Sequence, residues 1–263
     1  MRMTWKDVTT FTRACVRTGE RFRSARALMS LLQRAIYMAF ALLALCQPAS
    51  AAVFTFNTSD SQFDAGIDNQ GFWSATLANA DNNTSYQTGN SAGSITRSFF
   101  TFDLSGLNLS GQQVTGATLE LRRYGYSGDA SETVQFFDVS TAAATLNNNT
   151  GTSATIFNDL GTGTSYGAFS ISSSGLTTDL LSFALNSSAR ADITGAAGGF
   201  FSIGGTCDTC STSQNFFQAS SGTGIQRLVV QTAVVAAVPE PESLALIGIA
   251  LAIFGVTRRR AGA

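Results

Sequence analysis

Large apolar side chains alternate with polar ones over short runs, and nearly every run ends in a cluster of glycine, serine, threonine or asparagine. A period of two over four to eleven residues is the pattern of a half-buried strand. Helical periodicity sustained over ten or more residues is nearly absent between residues 52 and 233. The clearest run is residues 95–104, where Phe100, Phe102 and Leu104 fall on one face and Ser105-Gly106 ends the strand. In residues 114–122, Ala117, Leu119 and Leu121 share one face while Thr118, Glu120 and Arg122 share the other. Residues 133–139 form a third strong candidate. Shorter runs at 53–56, 72–77, 166–171, 180–185, 200–203, 216–219 and 226–232 read as further strands. The last of these carries Leu228, Val229 and Val230 in succession and is expected to be internal. Residues 187–193 suit one short helix with a serine cap. The expected fold is therefore all-β: a single antiparallel β-sandwich of jelly-roll type over residues 52–233. A membrane barrel would need strands of about ten residues in an even rhythm, and most of these runs are shorter.

The two ends of the chain differ in kind from this body. Arg34 precedes an apolar stretch, residues 35–45, which Gln47-Pro48 breaks. Ala49-Ser50-Ala51 then supplies small residues at both positions that a signal peptidase reads. Residues 29–51 are expected to be a secretory signal peptide cleaved after Ala51. Residues 1–28 are basic and lack an apolar core, so translation is expected to begin at Met29. Cys46 raises a lipoprotein alternative, but Leu45 is bulky for the position before a lipidated cysteine.

At the other end, residues 234–237 read as a linker and residues 238–263 as a separate tag. Val238-Pro239-Glu240-Pro241 is followed by an uncharged apolar run, residues 244–256, and then by Arg258, Arg259 and Arg260. The prolines hold the first part extended. The apolar run is short of the roughly 20 residues of a full crossing, and it spans as one transmembrane helix with little tilt and with arginines snorkelling to the headgroups. The arginines form a basic stop on the cytoplasmic side. A plain membrane anchor would need the apolar run and the basic stop but not the proline motif. The ordered set of three resembles the PEP-CTERM sorting signal of Gram-negative bacteria. The resemblance covers residues 238–260 and implies recognition of Pro239, Glu240 and Pro241 by a membrane-embedded exosortase. It further implies delivery to the cell surface or the extracellular polymer matrix. Residues 97–103, R-S-F-F-T-F-D, with residues 114–121, V-T-G-A-T-L-E-L, are similar to the opening half of DNRLRE-type β-sandwich modules of secreted bacterial proteins. That resemblance implies the same fold and points toward carbohydrate binding.

Composition narrows the chemistry. With both ends set aside, five arginines (Arg97, Arg122, Arg123, Arg190, Arg227) face thirteen carboxylates, and no lysine remains. Such a surface repels nucleic acid, which needs clustered cations. The chain has no histidine, which removes histidine-based triads, dyads and general bases and nearly all zinc catalysis. Cys207-Asp-Thr-Cys210 lacks both a surrounding βαβ pattern and a second pair, so in an oxidising compartment it is expected to form a small structural disulfide pinning a loop. The glycine-rich stretch 195–199 lacks the strand–turn–helix setting of a phosphate loop and reads as a connection between a helix and a strand.

Three candidate sites remain. The carboxylates are the available acid–base groups, but no two sit in a glycosidase-like sequence context. Asp60, Asp64 and Asp68, with Asn69 beside them, offer hard oxygen ligands for Ca²⁺, without the spacing of an EF-hand. Trp73, the one tryptophan of the body, lies beside this cluster, where an amphipathic ring can stack on a sugar. The expected protein is an exported, non-enzymatic surface or matrix component with signal peptidase and exosortase as processing partners. Its body is structural or adhesive in an exopolysaccharide matrix, with a carbohydrate-binding module as the alternative and a carboxylate-based hydrolase behind it.

Overall fold

The computed structural model describes residues 51–58, 69–79, 85–91, 93–148, 150–207, 209–211, 213–218 and 226–235. The predicted signal peptide up to Ser50 and the tag from residue 236 onward lie outside them. Among the described residues are twelve strands and three short helices: β1 Ala51–Asn57, β2 Gln70–Ser74, β3 Thr88–Ser91, β4 Ser94–Asp103, β5 Gln112–Arg122, β6 Gly125–Ser127, β7 Ser131–Asp138, α1 Ala143–Asn147, α2 Ala154–Asp159, β8 Ser165–Ser172, β9 Leu180–Ala184, α3 Ser187–Gly195, β10 Phe200–Thr206, β11 Gln214–Gln218 and β12 Arg227–Val234. Every strand pairing is antiparallel. The all-β expectation holds.

One sheet has the order β1-β12-β5-β9, and the other β6-β11-β3-β4-β10-β7-β8, with β2 paired to β4 off that path. Eight of these strands form two sets of four, β1-β12-β5-β9 and β4-β10-β7-β8. Along the chain, every step between them crosses from one sheet to the other except that from β7 to its neighbour β8, which is the winding of a jelly roll. Strand β12 is internal, between β1 and β5, as its continuous apolar run requires.

The two sheets share one core. Leu119, Leu121, Leu228, Val230 and Phe183 come from the first sheet, and Phe100, Phe102, Val134, Phe136 and Ile203 from the second. Phe183 on β9 meets Phe136 on β7 edge to face at 5.1 Å, which ties the layers together. On β5 the alternation is as expected: Ala117, Leu119 and Leu121 are buried, and Glu120 turns outward to pair with Arg227 at 3.0 Å. Strand β4 is buried on both faces from Ser98 to Asp103. Phe100 and Phe102 enter the main core. Phe99 points the other way, into a second cluster with Trp73, Leu146, Ile156 and Leu160. Helices α1 and α2 thus supply apolar cover on the far side of β4.

Several local expectations are corrected. The strand expected at 72–77 stops at Ser74, whose Oγ accepts from the backbone N–H of Thr76 and Leu77 at 3.3 and 3.2 Å and turns the chain. The helix at residue 187 is capped by Asn186 rather than serine, its side chain accepting from the amides of Ser188 and Ala189. The segment 195–199 does connect this helix to the next strand. The linker begins later than residue 234. Val234 is still in β12, and the Val235 amide donates to the Gly111 carbonyl at 3.0 Å.

Candidate functional site

The sorting residues Pro239, Glu240, Pro241, Arg258, Arg259 and Arg260 lie outside the described residues, as does Ala49. Their attachment points are visible. Ala51, the last residue before the predicted signal cleavage, pairs with Ala233 at the start of β1. Val235, the last described residue, follows directly on β12. Neighbouring strands are about 4.8 Å apart, so Ala51 and Val235 lie at the same end of the same sheet. The predicted cleavage after Ala51 would leave residues 52–57 of β1.

Trp73 is corrected from a sugar platform to a core residue. It is 4% exposed, and its indole N–H donates to the Leu146 carbonyl at 3.2 Å. The reason is β2 itself: all five of its residues are buried, between β4 and the cover of α1 and α2. The calcium candidates Asp60, Asp64 and Asp68 lie outside the described residues. Asn69, grouped with them by sequence, is buried, and its side-chain oxygen accepts from Asn147 Nδ2 at 3.1 Å.

A groove of about 540 Å³ lies where the outermost strands of the two sheets, β8 and β9, come side by side. Phe169 and Phe183, edge to face at 5.3 Å, form its apolar floor. Ser170, Ser172 and Ser182 also line it, with Arg123 and Asp179. Arg123 is held there by donating from Nη2 to the Ser172 carbonyl, with its guanidinium over the Tyr126 ring at 5.6 Å. Asp179 accepts from the Leu176 amide at 2.7 Å, which folds the β8–β9 connection back on itself. Hydroxyls, one fixed cation, one carboxylate and an aromatic floor together suit a polar, hydroxyl-rich ligand. Sequence reading missed this site, because its serines look like turn residues and only the adjacency of two sheet edges gathers them.

A smaller cavity of about 220 Å³ brings Asp138 and Asp192 together with Tyr166. Both carboxylates have structural partners: Asp192 accepts from the Tyr166 hydroxyl at 2.9 Å, and Asp138 accepts from the Thr164 amide. Burial, and after it the Asp192 carboxylate, push the Tyr166 hydroxyl far above its ordinary range, so it stays a neutral donor.

Cys207 and Cys210 are joined in a disulfide with Cα atoms 5.5 Å apart, pinning the connection from β10 to β11. One carboxylate faces it. Glu132 Oε, Cys207 Sγ and Cys210 Sγ all lie within 4.8 Å of one another.

Residues 237–260 match the PEP-CTERM protein-sorting motif. The chain is an exported protein of the Gram-negative bacterial type, sorted by an exosortase. No curated protein matches the chain.

Proposed function

We propose that this protein is a surface or matrix component whose body does no chemistry and contributes structure or adhesion to an extracellular polysaccharide matrix. The observation that carries this reading is the sorting motif at residues 237–260 joined directly to a histidine-free jelly-roll body. A signal peptidase removes residues up to Ala51, and the exosortase acts at Pro239-Glu240-Pro241. The carboxylates that share a cavity, Asp138 and Asp192, are engaged in holding the fold, which supports a non-enzymatic body. Deletion of the gene, followed by measurement of matrix cohesion and of the protein's distribution between cells and matrix, tests it. The reading expects tagged protein in the matrix fraction and a weakened matrix on deletion. An intact matrix with the protein confined to the inner membrane contradicts it.

One observation favours a second reading, a carbohydrate-binding module: the groove between β8 and β9, lined by serines and by the Phe169–Phe183 ring pair. The similarity of residues 97–103 and 114–121 to DNRLRE-type modules points the same way. A glycan array with wild-type protein and with Arg123→Ala separates the two. Binding lost in the variant supports the module. No binding to any polysaccharide leaves the structural role.

A further inference from the structure

Strand β7 alternates strictly, and Glu132, Val134 and Phe136 are its buried positions. Val134 and Phe136 belong to the main core, so the same alternation turns a carboxylate inward at the third place. Glu132 is 6% exposed, and its Oε1 is buried with no hydrogen-bond partner among the described residues. An apolar residue would fill that place at lower cost, since a buried polar atom without a partner gives up its water and gains no hydrogen bond in return. A loop-pinning disulfide does not require a carboxylate beside it. A disulfide that opens and closes is served by a nearby group that can take and return a proton.

The two sulfurs are not equivalent. Cys207 is 5% exposed and packed in the core, whereas Cys210 is partly exposed. The Thr209 hydroxyl lies 3.7 Å from Cys207 Sγ, placed to donate to a thiolate there. The other ionisable groups around Glu132 are Tyr126 on β6 and, through it, Arg123 and Asp129; Asp208 lies outside the described residues. The Tyr126 hydroxyl is held above its ordinary value by burial first and by Glu132 second, and it donates to the Asp129 carbonyl, so it is not the proton carrier.

From this arrangement we propose that Cys207–Cys210 is an exchange-active disulfide, with Cys210 as the attacked sulfur, Cys207 as the leaving sulfur and Glu132 as the group that exchanges the proton. The co-reactant is an external thiol. Its thiolate attacks Cys210 Sγ, a new S–S bond forms to the external sulfur, and the Cys207–Cys210 bond breaks. Cys207 Sγ leaves with the electron pair, is supported by the Thr209 hydroxyl and receives the proton of the Glu132 carboxyl. In reverse, the Glu132 carboxylate takes the Cys207 proton as that sulfur attacks Cys210 and expels the external thiolate. Access decides which sulfur is attacked in such exchanges. This activity is independent of what the β8–β9 groove binds.

The test uses the full chain in detergent, with reduced glutathione as the probe. The initial rate of mixed-disulfide formation is followed from pH 5 to pH 9 and divided by the fraction of glutathione present as thiolate. Wild type is expected to carry the adduct on Cys210 by peptide mass mapping. Glu132→Gln is expected to form the same adduct slower by about tenfold or more. An adduct on Cys207, or a Glu132→Gln protein that reacts as fast as wild type at every pH, would overturn the proposal. The adduct position needs only the wild-type chain, so a folding defect in the variant does not leave the question open.

Discussion

Replacing Trp73 separates a core role from a binding role. The indole is buried against Phe99, Leu146, Ile156 and Leu160, and its N–H is bonded to the Leu146 carbonyl in helix α1. Trp73→Phe keeps most of the apolar contact but strands that buried carbonyl, for a loss of about 1–3 kcal/mol. Trp73→Ala also empties the space between β2 and the helices, for a loss of about 3–5 kcal/mol. In a domain of this size each kcal/mol moves the melting temperature by roughly 2–4 °C, so Trp73→Ala is expected to lower it by about 6–20 °C. Urea unfolding followed by far-ultraviolet circular dichroism measures both variants. Because Trp73 is the only tryptophan after Trp5, its emission in the mature body is expected to be blue-shifted, protected from acrylamide and unchanged by added polysaccharide. A Trp73→Ala protein with wild-type stability and lost glycan binding would refute the assignment to the core.

Other perturbations probe the remaining joints. A Cβ at Gly204 would lie 2.4 Å from the Leu160 carbonyl oxygen and 2.8 Å from its Cα. Gly204→Ala is therefore expected to force helix α2 off β10 and cost about 1–3 kcal/mol in chemical denaturation. Gly195→Ala, where a Cβ meets nothing within 4 Å, is expected to be neutral or stabilising by up to about 1 kcal/mol. Replacing both Cys207 and Cys210 by serine releases a four-residue loop and is expected to cost roughly 2 kcal/mol, read from the urea midpoint. At Asp159, burial pushes the carboxyl up, but hydrogen bonds from the side chains and amides of Thr141 and Ser140 outweigh it and hold it below its ordinary value. Its contribution is complete above the unfolded-state value near 3.8 and is lost as pH falls through the lower folded-state value. Asp159→Asn is expected to cost about 1–2 kcal/mol at pH 7, with the gap to wild type closing toward pH 2.

How much of this was legible in the sequence depends on the length of each local signal. Strands β4, β5 and β7 were readable because an alternation of apolar and polar side chains admits one strand face, and the structure buries Ala117, Leu119 and Leu121 as that pattern requires. Strands β3 and β6, Thr-Gly-Asn-Ser and Gly-Tyr-Ser, carry no such alternation. They exist because β11 runs between them and bonds to both. At Gly89, with φ of 124°, a side chain would meet the Gln214 carbonyl at 2.5 Å, so this glycine is a close contact between β3 and β11. Helices α1 and α2, of five and six residues, are too short to show a period. That is also why Trp73 was misplaced: without the helices that cover it, a tryptophan beside a polar segment reads as exposed. The groove between β8 and β9 depends on which strands end each sheet, and no local pattern carries that information. Glu132 falls one residue before the strand expected at 133–139, and its position is seen only when β7 is drawn from Ser131 and Cys207 and Cys210 are placed beside it.

The central claim is that this chain is a β-sandwich passenger delivered outside the inner membrane by a tag that acts as an address. Intact-mass measurement of the protein recovered from the extracellular matrix of its own cells, with and without an active exosortase, tests it most directly. The account predicts a chain beginning at Ala52 and lacking the apolar run and Arg258-Arg259-Arg260, with both the release and the shortened C-terminus lost when the exosortase is inactivated. A chain that stays in the membrane with its arginines intact, whether or not the exosortase is present, would contradict it.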